Sequence, residues 1–228
     1  TTYGQYVGYD VTSLLKPGRN AFAAEAHWLG VWNDSGTNAS PAFRLECRIQ
    51  FADGTTQTLV TDDTWKTRAE TPFIESEPQY FGFAGGVRNR AALRYDARRE
   101  IDGWKTPTFD DAAWTNATAV DRSSYRLFAQ RVANQTEERE LAPVSCTSSG
   151  GRWVADFGKC VSGWPQITLR NQPPGAVVRI EYFQMADGSG GAGWDEYTCK
   201  GGVETWRANF GRHTSFKALR ISGVTGPL

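Results

Sequence analysis

The sequence predicts an all-β fold of two consecutive antiparallel β-sandwich modules with a jelly-roll-like arrangement. Three observations support this: short runs of alternating apolar and polar residues, 13% aromatic residues, and frequent turn formers, with 24 Gly and 10 Pro among 228 residues. Alternation with a period of two is typical of a half-buried strand, and Gly and Pro end such strands at turns. A chain of this length can bury a core in one or two domains.

The first elements are a strand, a short helical turn and a returning strand. Residues 9–20 read as a strand followed by one helical turn, which Asp10 or Thr12 can cap, and then by a Pro17-Gly18 turn. Residues 21–26 are mostly apolar and predict a buried strand.

A hairpin between residues 42 and 60 is the clearest local element. Residues 43–51 alternate strictly and place Cys47 on the apolar face, where we expect a buried free thiol. Asp53-Gly54 separates this run from the strand at 56–60, and Gly adopts the positive φ of such a turn without steric cost.

The second half of the chain contains another set of strand patterns. A polar stretch with few apolar residues precedes it, so we divide the chain into a first sandwich at 1–130, a linker at 131–144 and a second sandwich at 145–228. The glycine-rich segment 187–193 is predicted to be a loop rather than a phosphate-binding cradle, because no Lys-Ser/Thr pair follows it and no helix pattern starts there. The predicted strands of the second sandwich are 153–157, 166–170, 177–183, 204–210 and 216–221.

The charge balance and hydropathy exclude several partners. Lys+Arg 25 equals Asp+Glu 25, which favours neither nucleic acid nor an anionic membrane. No apolar run is long enough for a membrane-spanning helix. The N-terminus lacks a signal pattern, so we expect any targeting peptide to be absent or already removed.

Four Asn-x-Ser/Thr sequons predict a secreted, extracellular glycoprotein of fungal or other eukaryotic origin. In an oxidising compartment, two of the three cysteines in the second half, Cys146, Cys160 and Cys199, are expected to form a disulfide. No Cys or His spacing typical of zinc sites occurs. The predicted glycan acceptors are Asn33, Asn38, Asn116 and Asn134.

Several motifs, taken in order, resemble the non-catalytic N-terminal β-sandwich modules of α-L-rhamnosidases (glycoside hydrolase family 78). The most specific is YDARREIDGWKTPTFDDAAW at 95–114, followed by WVADFGKCVSGW at 153–164. The others are YDVTSLLKPGRNAFAAE at 9–25, DDTWK at 62–66, EERELAPVS at 137–145, DEYTCKGG at 195–202 and RHTSFKALRISG at 212–223.

The resemblance implies a first module similar to a rhamnose-binding carbohydrate module that lacks its first strands here. It also implies that the catalytic carboxylates belong to a helical barrel that no residue of this chain matches. We therefore predict no catalytic residue in the chain. Of the cysteine pairings, the resemblance favours Cys160 with Cys199, which follow strand patterns that lie close together in the family.

The predicted sugar contacts begin with two tryptophans. Trp28 and Trp32 enter a loop rich in Gly, Asn and Ser, and loops often carry binding residues. The alternative is that one of these tryptophans closes the end of the sandwich. A glycan on Asn33 would obstruct a sugar pocket, which counts against that residue as a ligand.

Three further residues complete the predicted sugar site: Asp96, Arg98 and Trp104. Asp96 and Arg98 lie on the same face of a strand, so an internal ion pair is the alternative to sugar binding. Trp104 and Trp114 frame a loop that contains Pro107, and the alternative for both is packing in the core. The carboxylates of Asp110 and Asp111 offer hard oxygen ligands for Ca²⁺, although in a turn such residues more often cap or face solvent.

The favoured function is recognition of L-rhamnose-containing carbohydrate, by the accessory region of an α-L-rhamnosidase or by a lectin-like relative. The alternative is a structural scaffold that packs on a separate catalytic barrel and binds no sugar. No motif requires a cofactor, and Ca²⁺ is the one ion that the resemblance allows. The expected partners are carbohydrate and a catalytic domain or second chain.

Overall fold

The computed structural model describes residues 3–26, 42–74, 78–83, 86–120, 126–132, 139–208 and 214–226. Within these ranges it contains strands and short 3₁₀ turns but no α-helix, which confirms the all-β prediction. None of the described helical turns has the length and apolar character that crossing a membrane requires. In chain order the strands are β1 (Tyr3–Tyr6), β2 (Glu46–Gln50), β3 (Thr56–Val60), β4 (Lys66–Thr67), β5 (Phe73–Ile74), β6 (Pro78–Phe83), β7 (Gly86–Ala91), β8 (Arg94–Asp96), β9 (Thr115–Asn116), β10 (Arg126–Ala129), β11 (Ser145–Ser149), β12 (Arg152–Gly163), β13 (Gln166–Arg170), β14 (Val177–Phe183), β15 (Gly191–Thr198), β16 (Val203–Arg207) and β17 (Thr214–Ser222).

The chain divides into two compact units that interleave along the sequence. The first takes its described residues from 1–28, 39–69 and 101–139, and the second from 70–100 and 140–228. The sequence-based division placed 70–100 in the first sandwich. In the structure, β5 and β8 of this stretch pair within the main sheet of the second unit.

The second unit is a sandwich of a seven-stranded sheet and a two-stranded sheet. The strand order of the large sheet is β11-β12-β17-β14-β15-β8-β5, and β13 pairs with β16. Neighbours are antiparallel except β15 and β8, which run parallel. Alternate residues of β14, including Val178 and Ile180, point inward and pack with Leu169 of β13 and Trp206 of β16 in one buried core.

The first unit consists of strand pairs with exposed apolar side chains. β2 and β3 form the predicted hairpin, and Gly54 at its turn has a φ of 85°, as the Asp-Gly signal predicts. β4 pairs with β9, and β1 pairs in parallel with β10. None of this unit's described residues is fully buried. Tyr9 and Leu14 are 75% and 70% exposed.

One predicted loop is partly a strand. The segment 187–193 was predicted to be a loop, but β15 begins at Gly191, which pairs with Phe183 of β14. A register shift lies beside that pair, so β15 accommodates the glycines at an irregular strand end. Trp194 lies within β15 and is half-buried, because the Arg179 guanidinium covers its ring at 4.0 Å from the ring centroid.

We predict that Val178→Ala destabilises the second unit by roughly 2 kcal/mol, because two buried methyl groups are lost and a cavity remains. Val178 is fully buried, whereas its neighbour Val177 is 47% exposed on the opposite face of β14. Urea unfolding of the two Val→Ala variants measures this difference. A loss at Val177 as large as that at Val178 would contradict the assigned core face.

Candidate functional site

Asp96 and Arg98 form a bidentate ion pair at the end of β8. Asp96 caps the 3₁₀ turn Ala97–Arg99: its Oδ1 accepts the Arg98 backbone N–H at 3.1 Å and Nε–H at 2.9 Å, and its Oδ2 accepts Nη2–H at 2.8 Å. These hydrogen bonds from Arg98 hold the pKa of the Asp96 carboxyl below its usual range. The structure thus contains the internal ion pair, and both carboxylate oxygens are engaged.

The Arg98 side chain also lies against a turn of the second unit. Its Nη1 is 3.1 Å from the position that a Cβ would occupy on Gly175, whose φ of 89° suits glycine. About half of the Arg98 side chain, 52%, remains exposed. Arg98 is therefore a partly engaged guanidinium at the surface.

Glu100 joins this segment to the loop after β15. Its Oε1 accepts the Tyr95 hydroxyl at 2.8 Å, and its Oε2 accepts Lys200 Nζ. The Tyr95 ring stacks in parallel with Tyr197 at 5.8 Å and is 6.1 Å from Trp206. Charged groups thus form the rim of this cluster, while its aromatic rings pack into the core.

Two carboxylates lie inside the second unit. Glu204 is 4% exposed and accepts hydrogen bonds from the Tyr197 hydroxyl at 2.7 Å and from the backbone N–H groups of Lys200 and Gly201 at 2.9 Å each. Asp195 is 1% exposed, and it accepts the Leu93 N–H at 2.8 Å and the Tyr182 hydroxyl. With these partners, both carboxylates act as internal connections rather than as exposed acids or bases.

The predicted disulfide between Cys160 and Cys199 is wrong in this structure, which has both as free thiols. Cys160 is on β12, and Cys199 follows β15. Two strands, β17 and β14, separate them in the sheet. Three strand spacings of about 4.8 Å exceed the Cα separation that a disulfide allows. Burial raises the pKa of the Cys199 thiol to about 11.

Trp104 belongs to an aromatic cluster in the first unit. Its ring centroid is 6.4 Å from that of Trp114, which in turn has an edge contact with Phe109 at 5.5 Å. Lys105 Nζ lies over the Trp104 ring at 5.0 Å. Trp104, Phe109 and Trp114 are all half-buried, so the cluster keeps part of its aromatic surface exposed.

The two acidic residues that follow Phe109 stabilise the turn before Trp114. Asp110 Oδ1 accepts the Ala112 N–H at 3.0 Å, and the Asp111 carbonyl accepts the Trp114 N–H at 2.9 Å. In the part of the chain that the structure describes, no three His, Cys, Asp or Glu residues come together in a way that could hold a metal ion. A calcium site at Asp110 and Asp111 therefore stays a prediction.

Several predicted site residues lie outside the described residues: Trp28, Trp32, Asn33, Asn38 and Asn134. Among the others, the structure brings Asp96 and Arg98 together in the second unit, while Trp104 belongs to the first. Neither Glu204 nor Asp195 was predicted from the sequence as a structurally important carboxylate. The signal was present, since Glu204 is in phase with Trp206, and Asp195 with Tyr197, on strands whose apolar residues alternate.

Comparison with known proteins shows similarity along almost the whole chain. Residues 2–138 match the model of the alpha-L-rhamnosidase N-terminal domain, and residues 146–227 match the bacterial alpha-L-rhamnosidase concanavalin-like domain. An alpha-L-rhamnosidase of Streptomyces avermitilis is 27% identical over 97% of this chain and 22% of its own length. One from Formosa agariphila is 25% identical over 96% of this chain and 24% of its own length.

A similar fold occurs in a solved structure, that of the Streptomyces avermitilis alpha-L-rhamnosidase complexed with L-rhamnose. It is 26% identical, with a TM-score of 0.70, and the match covers 100% of this chain and 22% of that chain. The present chain thus spans less than a quarter of the length of these larger enzymes.

We predict that Glu204→Gln lowers the free energy of unfolding of the second unit by about 1–3 kcal/mol, because a glutamine oxygen cannot replace both carboxylate oxygens towards three donors. Glu181→Gln is the control: Glu181 is half-buried at the surface, 3.9 Å from Arg220. Denaturant unfolding should separate the two variants. Equal effects would contradict the internal role of Glu204.

We predict that Arg98→Met lowers stability at neutral pH and that this loss disappears in acid. The Asp96 pKa is lower in the folded protein than its value of about 3.9 in an unfolded chain. The ion pair therefore contributes its full stability above that value and loses it as pH falls through the lower, folded pKa.

Unfolding curves from neutral pH to about pH 2 test this expectation. Arg99→Met is the matched control, since Arg99 is an exposed neighbour in the same turn. A destabilisation by Arg98→Met that stays constant through the acid range would show that the ion pair is not its cause.

Proposed function

Because the chain belongs to the α-L-rhamnosidase family, we propose that it recognises L-rhamnose-containing carbohydrate as the accessory region of such an enzyme. The observation that carries this proposal is the pair of consecutive family matches, which together cover residues 2–138 and 146–227. The relative solved with L-rhamnose supports this choice of sugar. The proposed setting is extracellular, with a catalytic domain as partner.

The chemistry of sugar recognition agrees with the aromatic cluster of the first unit. Sugar rings present C–H groups to aromatic faces, and a few polar groups bind their hydroxyls. Trp104 is half-buried, and Lys105 beside it supplies a hydrogen-bond donor. Trp104 is therefore the leading proposed sugar contact among the described residues. Trp28 and Trp32 remain the contacts predicted from the sequence.

Asp96 and Arg98 are weaker candidates for the same role. The carboxylate of Asp96 is occupied by Arg98, so it has little capacity left for sugar hydroxyls. The exposed part of Arg98 can still donate through a guanidinium nitrogen that Asp96 does not use. We propose Arg98, rather than Asp96, as the contact from this pair.

The second candidate function is a scaffold that packs on a catalytic barrel without binding sugar. The exposed apolar side chains of the first unit favour it, since large exposed apolar surfaces mark interaction sites. The second unit, whose internal carboxylates are hydrogen-bonded, is equally compatible with this role. Sugar titration distinguishes the two functions.

We predict that calorimetric titration of the purified chain with L-rhamnose gives saturable heat, and that Trp104→Ala reduces the affinity at least tenfold. Loss of an aromatic contact worth roughly 1.4 kcal/mol produces a tenfold change. Trp28→Ala and Trp32→Ala test the remaining proposed contacts, and a repeat in EDTA tests whether Ca²⁺ takes part.

Trp65→Ala is the control for loss of a tryptophan elsewhere in the same unit, where the Trp65 Nε1–H is bonded to the Val60 carbonyl. Heat that survives all three tested substitutions would reject these contacts. The absence of heat for the unmodified chain would reject sugar binding and favour the scaffold.

A further inference from the structure

We infer that Asn116 is an N-glycosylation site and that the first sugar of its glycan packs on the indole of Trp114. The segment Trp114-Thr115-Asn116-Ala117-Thr118 combines an Asn-x-Thr sequon with a tryptophan two residues before the acceptor. The inference concerns a glycan attached to this chain, so it is independent of whether the chain binds rhamnose.

The modification requires an oligosaccharide donor linked to a lipid diphosphate. The Asn116 Nδ2 forms a bond to C1 of the first N-acetylglucosamine and loses one proton, while the bond from C1 to the diphosphate oxygen breaks. The lipid diphosphate is the leaving group, and no oxidation or reduction occurs. The hydroxyl at the third position of the sequon, here Thr118, is required for acceptance.

The geometry at Asn116 suits this attachment. Asn116 is exposed in β9, and its Oδ1 accepts Lys66 Nζ at 2.7 Å. Among the contacts that the structure describes, Nδ2 makes none, so a glycan on Nδ2 leaves the bond to Lys66 intact. The Ala117 N–H donates to the Trp65 carbonyl at 2.7 Å, which holds the middle of the sequon beside β4.

Trp114 is placed to contact the attached sugar. Only Thr115 separates it from Asn116, and Thr115 is held in extended backbone by pairing with Thr67. Trp114 is the residue just before β9, and its spacing of two from Asn116 is the spacing that places side chains on the same face of a strand. Trp114 is half-buried against Trp104 and Phe109, so part of its ring is available to the C–H groups of N-acetylglucosamine.

The acceptor is tested by secreting the full chain from yeast behind a signal peptide. Release of glycans by a peptide amidase in heavy-oxygen water converts each glycosylated asparagine to labelled aspartate, which peptide mass spectrometry locates. We expect label at Asn116 in the unmodified chain and in Thr118→Ser, and none in Thr118→Val. Unlabelled Asn116 in the secreted, unmodified chain would overturn the inference.

The contact with Trp114 is tested by thermal unfolding after the glycan is trimmed to its first N-acetylglucosamine. We expect this sugar to raise Tm by about 2–4 °C over the Thr118→Val chain, which lacks only the glycan at Asn116. In the Trp114→Leu background, the same comparison should give less than half of that shift. Equal shifts in the two backgrounds would reject the packing of the sugar on Trp114.

Discussion

The folded arrangement of the second unit depends on hydrogen bonds to two carboxylates buried in its sandwich, Asp195 and Glu204. An ionised carboxylate inside an apolar core is costly unless its oxygens accept hydrogen bonds, so its donors must hold fixed positions. Asp195 fixes the backbone of Leu93 just before β8. Glu204 fixes the loop at 200–201 between β15 and β16. Together they determine where the segment 93–100 and this loop lie.

The ion pair of Asp96 and Arg98 connects this buried part of the second unit to its surface. Asp96 is almost fully buried, and Arg98 reaches from it to the turn at Gly175. The same sequence motif that was a candidate for sugar contact therefore stabilises the junction of β8 with the rest of the sheet. A motif that identifies a family can owe its residue types to such internal contacts rather than to a ligand.

The sequence was most informative where structure is local. The alternation in β13 and β14 predicted both strands to the residue, and Asp53-Gly54 predicted the β2–β3 turn, because these signals depend only on neighbouring residues. β15 was not among the strands predicted from alternation, because it begins in a glycine-rich segment and glycine carries no side-chain pattern. The pairing of β8 with β15 was missed because nothing in residues 94–96 indicates a partner about a hundred residues away.

The candidate site was likewise predictable only where its contacts are local in sequence. The i, i+2 relation of Asp96 and Arg98 indicated their contact, whereas Tyr95, Glu100 and Lys200 meet only through the fold.

The parallel pairing of β8 and β15 has a consequence for the synthesis of the chain. Arg94 and its partner Glu196 are separated by 102 positions. A ribosome adds about 5–20 residues per second, so β8 is made roughly 5–20 s before the strand that it pairs with. During this interval β5 is the one strand of the final sheet that β8 can pair with. We expect the segment 70–100 to dock last, after β14, β15 and β17 have formed the sheet, since distant contacts carry the larger entropy of loop closure.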